Sequence, residues 1–110
     1  MPSFFIKVFV PGPFFEPLVY VSKTPIDAGI RVRVVLGSRE IIGISDGETA
    51  EPKTLKTIKS ILSIIDECSI ISEEQRAIVQ FASDYYNSPL GDLLLHSLPA
   101  SIRKGRPIPA

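Results

Sequence analysis

Hydrophobic and polar positions change their period once along this chain, a little past its middle. Residues 4–10, FFIKVFV, are aromatic and β-branched and predict a strand. Pro11, Gly12 and Pro13 end it, and a second apolar run follows from Leu18 to Val21. Lys23-Thr24-Pro25 and Asp27-Ala28-Gly29 read as a loop containing a turn. From Ile30 to Leu36 the alternation is clean. Ile30, Val32 and Val34 fall on one face and Arg31 and Arg33 on the other, the period of two that a half-buried strand demands. Gly37-Ser38-Arg39 joins this run to a return strand, Glu40 to Ser45, interrupted by Gly43, and the pair predicts a hairpin. Asp46 to Lys53 is polar, holds Gly47 and Pro52, and reads as a loop.

Residues 56–66, KTIKSILSIID, fit two periods. Ile58, Ile61, Leu62 and Ile65 have helical spacing, yet Ile58, Ser60, Leu62 and Ile64 also alternate with Lys59, Ile61, Ser63 and Ile65 as in a strand. Beyond this point the period is helical. Ser72 followed by Glu73, Glu74 and Gln75 forms a capping box with acids in the first turn. Ile78, Phe81, Ala82 and Tyr85 make one apolar stripe, expected to be core. Asn87-Ser88-Pro89 breaks the pattern. Ser88 is expected to cap a second helix with Pro89 first in it, Leu90, Leu93, Leu94 and Leu98 its buried face, and Pro99 its stop. Gly91 inside that helix costs about 1 kcal/mol relative to alanine, which a close approach to another element would explain. The pattern predicts an α+β domain spanning residues 1–110. Its strand-rich half, 1–66, is small and barrel-like, and two or three short helices follow over 72–104.

Composition narrows this picture. The chain has 110 residues, 45% of them hydrophobic, and a mean hydropathy of +0.24, enough for one core. No apolar run is long enough to cross a membrane. MPSFFIKVFV lacks a basic leader and a small-residue cleavage site, so it reads as an edge strand rather than a secretory signal. Cys68, the single cysteine, excludes an internal disulfide and a cysteine-built zinc site, and its neighbours Asp66 and Glu67 disfavour a thiolate. A cytoplasmic address fits these features. The formal charge is zero but uneven. Residues 1–65 carry eight basic and six acidic side chains, residues 66–92 carry one basic and six acidic, and the tail adds Arg103, Lys104 and Arg106. A protein that grips long duplex DNA through phosphates carries a larger surplus, so any nucleic acid here is held at a small site.

Candidate chemistry is sparse. No glycine-rich loop precedes a lysine in the manner of a nucleotide-triphosphate site. His96, the only histidine, lies off the leucine face and reads as a surface residue, which leaves no histidine-rich metal site and few possible triads. Asp84 and Asp92 flank the break between the helices and read as caps or surface ion-pair partners. No catalytic or metal-binding residue is assigned.

A family pattern is clearer. VPGP (Val10 to Pro13), LVY (Leu18 to Tyr20), GIRVRVVLGSREIIGI (Gly29 to Ile44), KSILSIID (Lys59 to Asp66), DYYNSPLGDLLLHSLP (Asp84 to Pro99) and RKGRP (Arg103 to Pro107) occur in that order. Together they make the chain resemble, over essentially its whole length, the N-terminal DNA-binding domain of the primosomal protein N-prime (PriA) family. These are ATP-dependent 3′-to-5′ helicases that restart stalled replication forks. The resemblance implies a strand over 56–66. It implies a monomeric domain that caps the 3′ end of the nascent leading strand at forked DNA. Other primosome proteins and single-stranded DNA-binding protein are its further possible partners. ATP and zinc are implied only for other parts of such a helicase, with no cofactor in this chain, which should hydrolyse nothing. The implied pocket for the terminal nucleotide has an aromatic-acidic pair, a glycine and a lysine as its walls. Gly37 and Lys59 match the last two. Glycine lets backbone approach a sugar closely, and lysine donates to a phosphate or a base edge. Leu18 and Val19 stand where the pair would be. Valine accepts no hydrogen bond from a 3′-hydroxyl and leucine stacks less well than a ring, so Glu16 is the nearest acid for the acceptor role. The residues are also compatible with a small barrel used for protein–protein docking, with the helices as its lid.

Overall fold

The computed structural model describes residues 3–14, 16–51, 58–96, 98 and 105. Its strands are β1 (Phe4–Phe9), β2 (Leu18–Ser22), β3 (Arg31–Leu36), β4 (Arg39–Thr49) and β5 (Ser63–Ile64), and its helices are α1 (Glu73–Tyr86) and α2 (Leu90–His96). The strands form one sheet in the order β2-β1-β4-β3-β5, with every neighbouring pair antiparallel. Its two ends then meet. The amide of Val21 donates to the Lys59 carbonyl at 3.0 Å, and the Ile61 amide donates to the Val21 carbonyl at 2.9 Å. On the other side the amides of Leu62 and Ile65 donate to the carbonyls of Arg33 and Arg31. Residues 59–65 are thus an extended segment bonded on both flanks, and the sheet is a small barrel. The strand period, not the helical one, governs this stretch. Lys56 and Thr57 lie outside the described residues.

The sheet buries both faces. Ile6, Val8, Val10, Tyr20, Val32 and Val34 point into the barrel and pack with Ile26 and Ile30. Phe9 and Ile44 point out of it and are covered by Leu90, Leu94 and Leu95 of α2. β1 is therefore a central strand, bonded to β2 and β4, and not an edge. Its FFIKVF sequence is apolar on nearly every position because both faces are covered. β4 also runs further than its sequence suggests. Val8 pairs with Ser45 and Ile6 with Glu48, so Asp46 and Gly47 together oppose Lys7 in a bulge, and the strand continues to Thr49 instead of becoming a loop. Gly43 does not interrupt it. A Cβ there would lie 2.5 Å from the Val8 side chain, so only glycine lets β1 and β4 pack at that point.

The capping box is formed. The Ser72 hydroxyl accepts from the Gln75 amide, and the Gln75 side chain accepts from the Ser72 amide, each at 3.0 Å. The face that α1 turns inward differs from the expected one. Ile78, Phe81 and Tyr85 are 61%, 69% and 71% exposed, while Ser83 is buried and Val79 packs against the outer core. Arg76 anchors this inner face. Its guanidinium lies 4.7 Å from the Phe9 ring centroid, pairs with Asp46 at 3.4 Å and donates to Gln80 Oε1 at 2.9 Å. The apolar stripe was legible, but a cation over a ring and an ion pair chose the other side.

Asn87, in the left-handed conformation at φ 51°, ends α1. Ser88 does not cap α2 as expected, since its hydroxyl reaches back to the Tyr86 carbonyl at 3.5 Å. Pro89 is the residue before α2, and its carbonyl accepts from the Leu93 amide. The buried leucines of α2 are Leu90, Leu94 and Leu95, with Leu93 half-buried. Gly91 meets the expectation of close approach, because a Cβ on it would lie 2.3 Å from the Val10 carbonyl oxygen. Beyond His96 only Leu98, which packs against the outer core, and Gly105 are described, so the expected stop at Pro99 and the basic tail residues Arg103, Lys104 and Arg106 lie outside the described residues.

Arg31 falls on the outer face of β3, as its alternation requires, but it is 1% exposed rather than solvated. Asp66 holds it. Arg31 Nη2 and Nε donate to the two carboxylate oxygens at 2.7 and 2.9 Å, and the Arg31 amide adds a third bond at 3.1 Å. Burial pushes the Asp66 carboxyl up, but the hydrogen bonds and charge of Arg31 outweigh it and hold the group below its ordinary value of 3.8.

Two outcomes follow from this packing. Phe81→Ala should change stability by no more than about 0.5 kcal/mol, whereas Leu94→Ala should cost about 2–5 kcal/mol, as compared by urea denaturation. Because the Asp66 pKa is depressed in the folded state, its contribution is present above the ordinary value and is lost as pH falls through the folded one. Asp66→Asn should therefore flatten the acid limb of a stability–pH profile. It should also cost about 3–5 kcal/mol at neutral pH, since it removes the carboxylate that faces a buried guanidinium.

Candidate nucleic-acid interface

Antiparallel register carries four pieces of chain to one end of the barrel. They are the start of β2, the end of β1, the β3–β4 turn at Gly37-Ser38 and the start of the 59–65 segment. Leu18, Gly37 and Lys59 share this mouth. Gly37 has φ 65°, a left-handed conformation that glycine adopts without a Cβ penalty, and nothing lies within 4 Å of where a Cβ would stand. The Lys59 ammonium donates to the Gly37 carbonyl at 3.1 Å. An ammonium has three donors, so two remain to be directed outward.

Alternation along β2 separates the next two residues. Leu18 shares the inner face with Tyr20 and packs, half-buried, against the interior core beside Leu36, Ile41 and Ile61. Val19 faces the other way and pairs with Lys7 of β1. Tyr20 forms the floor beneath Leu18. It is 4% exposed, its hydroxyl donates to the Val35 carbonyl at 3.0 Å, and burial pushes its phenol up. Glu16 is exposed and makes no hydrogen bond or ion pair among the described residues.

The mouth therefore combines a half-buried aliphatic wall, an open glycine turn and a lysine bonded to that turn. Val19 does not share the wall with Leu18. Two contributors were missed in the sequence. Arg39 is exposed at the end of the same turn, paired with Leu36, and brings a second cation to this end. Its position in Gly37-Ser38-Arg39 was the available signal. Tyr20 braces the wall from below, and its alternation with Leu18 could have shown it. Such a corner can accept a single anionic group and the apolar edge of a base or sugar. A family model described as the 3′DNA-binding domain (3′BD), that of PriA, matches residues 7–99, and the chain belongs to this family of DNA-binding domains.

Proposed function

We propose that this domain holds the terminal nucleotide of a DNA strand at the barrel mouth, with Lys59 and Gly37 as its principal contacts. The observation that carries the reading is the 3.1 Å bond between them at the open end, in a member of a 3′DNA-binding family. Lys59 meets a phosphate oxygen or a base edge, the Gly37 turn admits the sugar, and Leu18 supplies the apolar wall. Val19, on the opposite face of β2, takes no part as acceptor, and Glu16 is the candidate for the 3′-hydroxyl. In this reading the strand is the nascent leading strand at a stalled fork, and the domain serves a primosomal ATP-dependent helicase in replication restart. The domain acts as a monomer in the cytoplasm and hydrolyses nothing itself. ATP and zinc belong to other parts of that helicase, and primosome proteins and single-stranded DNA-binding protein are its further partners.

Lys59→Ala should weaken binding of an oligonucleotide with an accessible 3′ end and lower the salt slope by about one phosphate's worth. Valine at position 37 would be strained by about 1–2 kcal/mol at this φ, so asparagine, which tolerates the left-handed region, is the cleaner block. Gly37→Asn should reduce affinity with the fold retained. Parent-like affinity in both variants places the site elsewhere.

Recognition of the hydroxyl is tested by competition among oligonucleotides with 3′-hydroxyl, 3′-phosphate and 3′-deoxy ends. A hydrogen bond to a charged acceptor contributes about 1.5–3 kcal/mol, so without one the preference for the hydroxyl should be only modest. A strong preference abolished by Glu16→Gln assigns the acceptor to Glu16. A strong preference that survives the change rejects both versions.

A further inference from the structure

The outer face of α1 carries the largest exposed apolar side chains of the described residues. Ile78, Phe81, Tyr85 and Tyr86 are 61%, 69%, 71% and 71% exposed. Ile78, Phe81 and Tyr85 are contiguous on the helix surface, because residues three, four and seven apart share a face, and Tyr86 joins them through its ring contact with Tyr85. The rings are mutually ordered. Phe81 stacks on Tyr85 with centroids 5.9 Å apart and planes at 20°, and Tyr85 meets Tyr86 edge-on at 4.9 Å and 77°. Ring packing of this kind limits the rotamer freedom that an interface must otherwise freeze. The ridge from Ile78 to Tyr86 is about 12 Å long at the helical rise, the length over which one helix packs on another.

Charge identifies the occupant. Glu73, Glu74 and Asp84 are exposed on the same helix. Its one cation, Arg76, is turned inward to Asp46, Phe9 and Gln80. The solvent side of α1 is thus aromatic and uniformly acidic, which repels phosphates and would repel a second copy of itself. The helix also begins where β3 begins, at the end of the barrel away from Gly37. The Ile70 amide donates to the Gly29 carbonyl just before the Ser72 cap. We propose that the Ile78–Phe81–Tyr85–Tyr86 face of α1 is a docking surface for a basic amphipathic helix of a partner protein. Its apolar side would lie on the rings and its cations beside Glu74 and Asp84. The inference is independent of the nucleotide reading, because it uses a different face and opposite charge.

The test uses the whole chain and two variants, Phe81→Ser/Tyr85→Ser and Glu74→Lys/Asp84→Lys. Their folds are checked by circular dichroism melts. The probes are an amphipathic Lys/Leu peptide of about 14 residues, enough for roughly four helical turns, and a Glu/Leu peptide of the same pattern. A 3′-blocked oligothymidylate and sedimentation of the chain alone complete the set. The Lys/Leu peptide should bind the parent, at least about tenfold more weakly each variant, and the Glu/Leu peptide not at all. Failure to bind the parent, or equal binding to parent and variants, overturns the proposal. So does oligothymidylate binding that the serine variant loses, which makes the face a base-stacking platform. A parent dimer dissolved by the serine variant also overturns it, since a second copy would then cover the rings.

Discussion

Backbone bonds from β2 and β3 to residues 59–65 turn an open sheet into a closed barrel, and much else depends on that closure. The segment has little regular strand of its own, since only Ser63–Ile64 pairs in a ladder. It is held instead at both flanks and at its far end, where Asp66 grips Arg31 by side chain and backbone. A buried ion pair of this kind contributes less net stability than its geometry suggests. What it contributes is register. With Asp66 fixed to Arg31, Ile61 packs against the interior core, Leu62 is left exposed, and Lys59 arrives beside Gly37. A shift of one residue would exchange these faces and take the lysine from the mouth.

Local pattern carried the strands, the β3–β4 hairpin, the capping box and the helix break at Asn87. In each of these, neighbouring residues decide the conformation. It failed where a distant partner decides. Arg31 alternates like a solvated residue, but a carboxylate 35 positions away draws it under cover. The period of α1 was legible, yet the helix docks by the cation of Arg76 on Phe9 and Asp46, which no periodicity encodes. Asp46 and Gly47 read as the start of a loop, and form a bulge because β1 continues alongside them. At the mouth, Gly37 and Lys59, which the resemblance matches to family positions, stand in contact. The resemblance sets Leu18 and Val19 side by side in one pocket wall, although adjacent strand residues point to opposite faces.

The acidic surplus of residues 66–92 is not a single solvated surface. Asp66 is consumed by Arg31, and Asp92 accepts the Gly12 amide at 3.1 Å, tying α2 to the chain that leaves β1. Gly91 rests on Val10 one residue earlier. α2 thereby clamps the end of β1 from outside while its leucines cover Phe9. Glu67 and the acids of α1 remain for the solvent, the latter beside the exposed rings.

The contact between Lys59 and the Gly37 carbonyl also changes the thermodynamics of whatever reaches that corner. A lysine roaming in water surrenders up to about 2 kcal/mol of rotamer freedom when a ligand arrests it. Here the bond to the Gly37 carbonyl biases the ammonium toward the turn before any ligand arrives, which reduces part of that loss. The exchange is then chiefly one of solvation, with water leaving the ammonium and the anion as the carbonyl keeps its bond. Selectivity at such a corner then depends on fit around a charge biased toward the turn as well as on attraction to it.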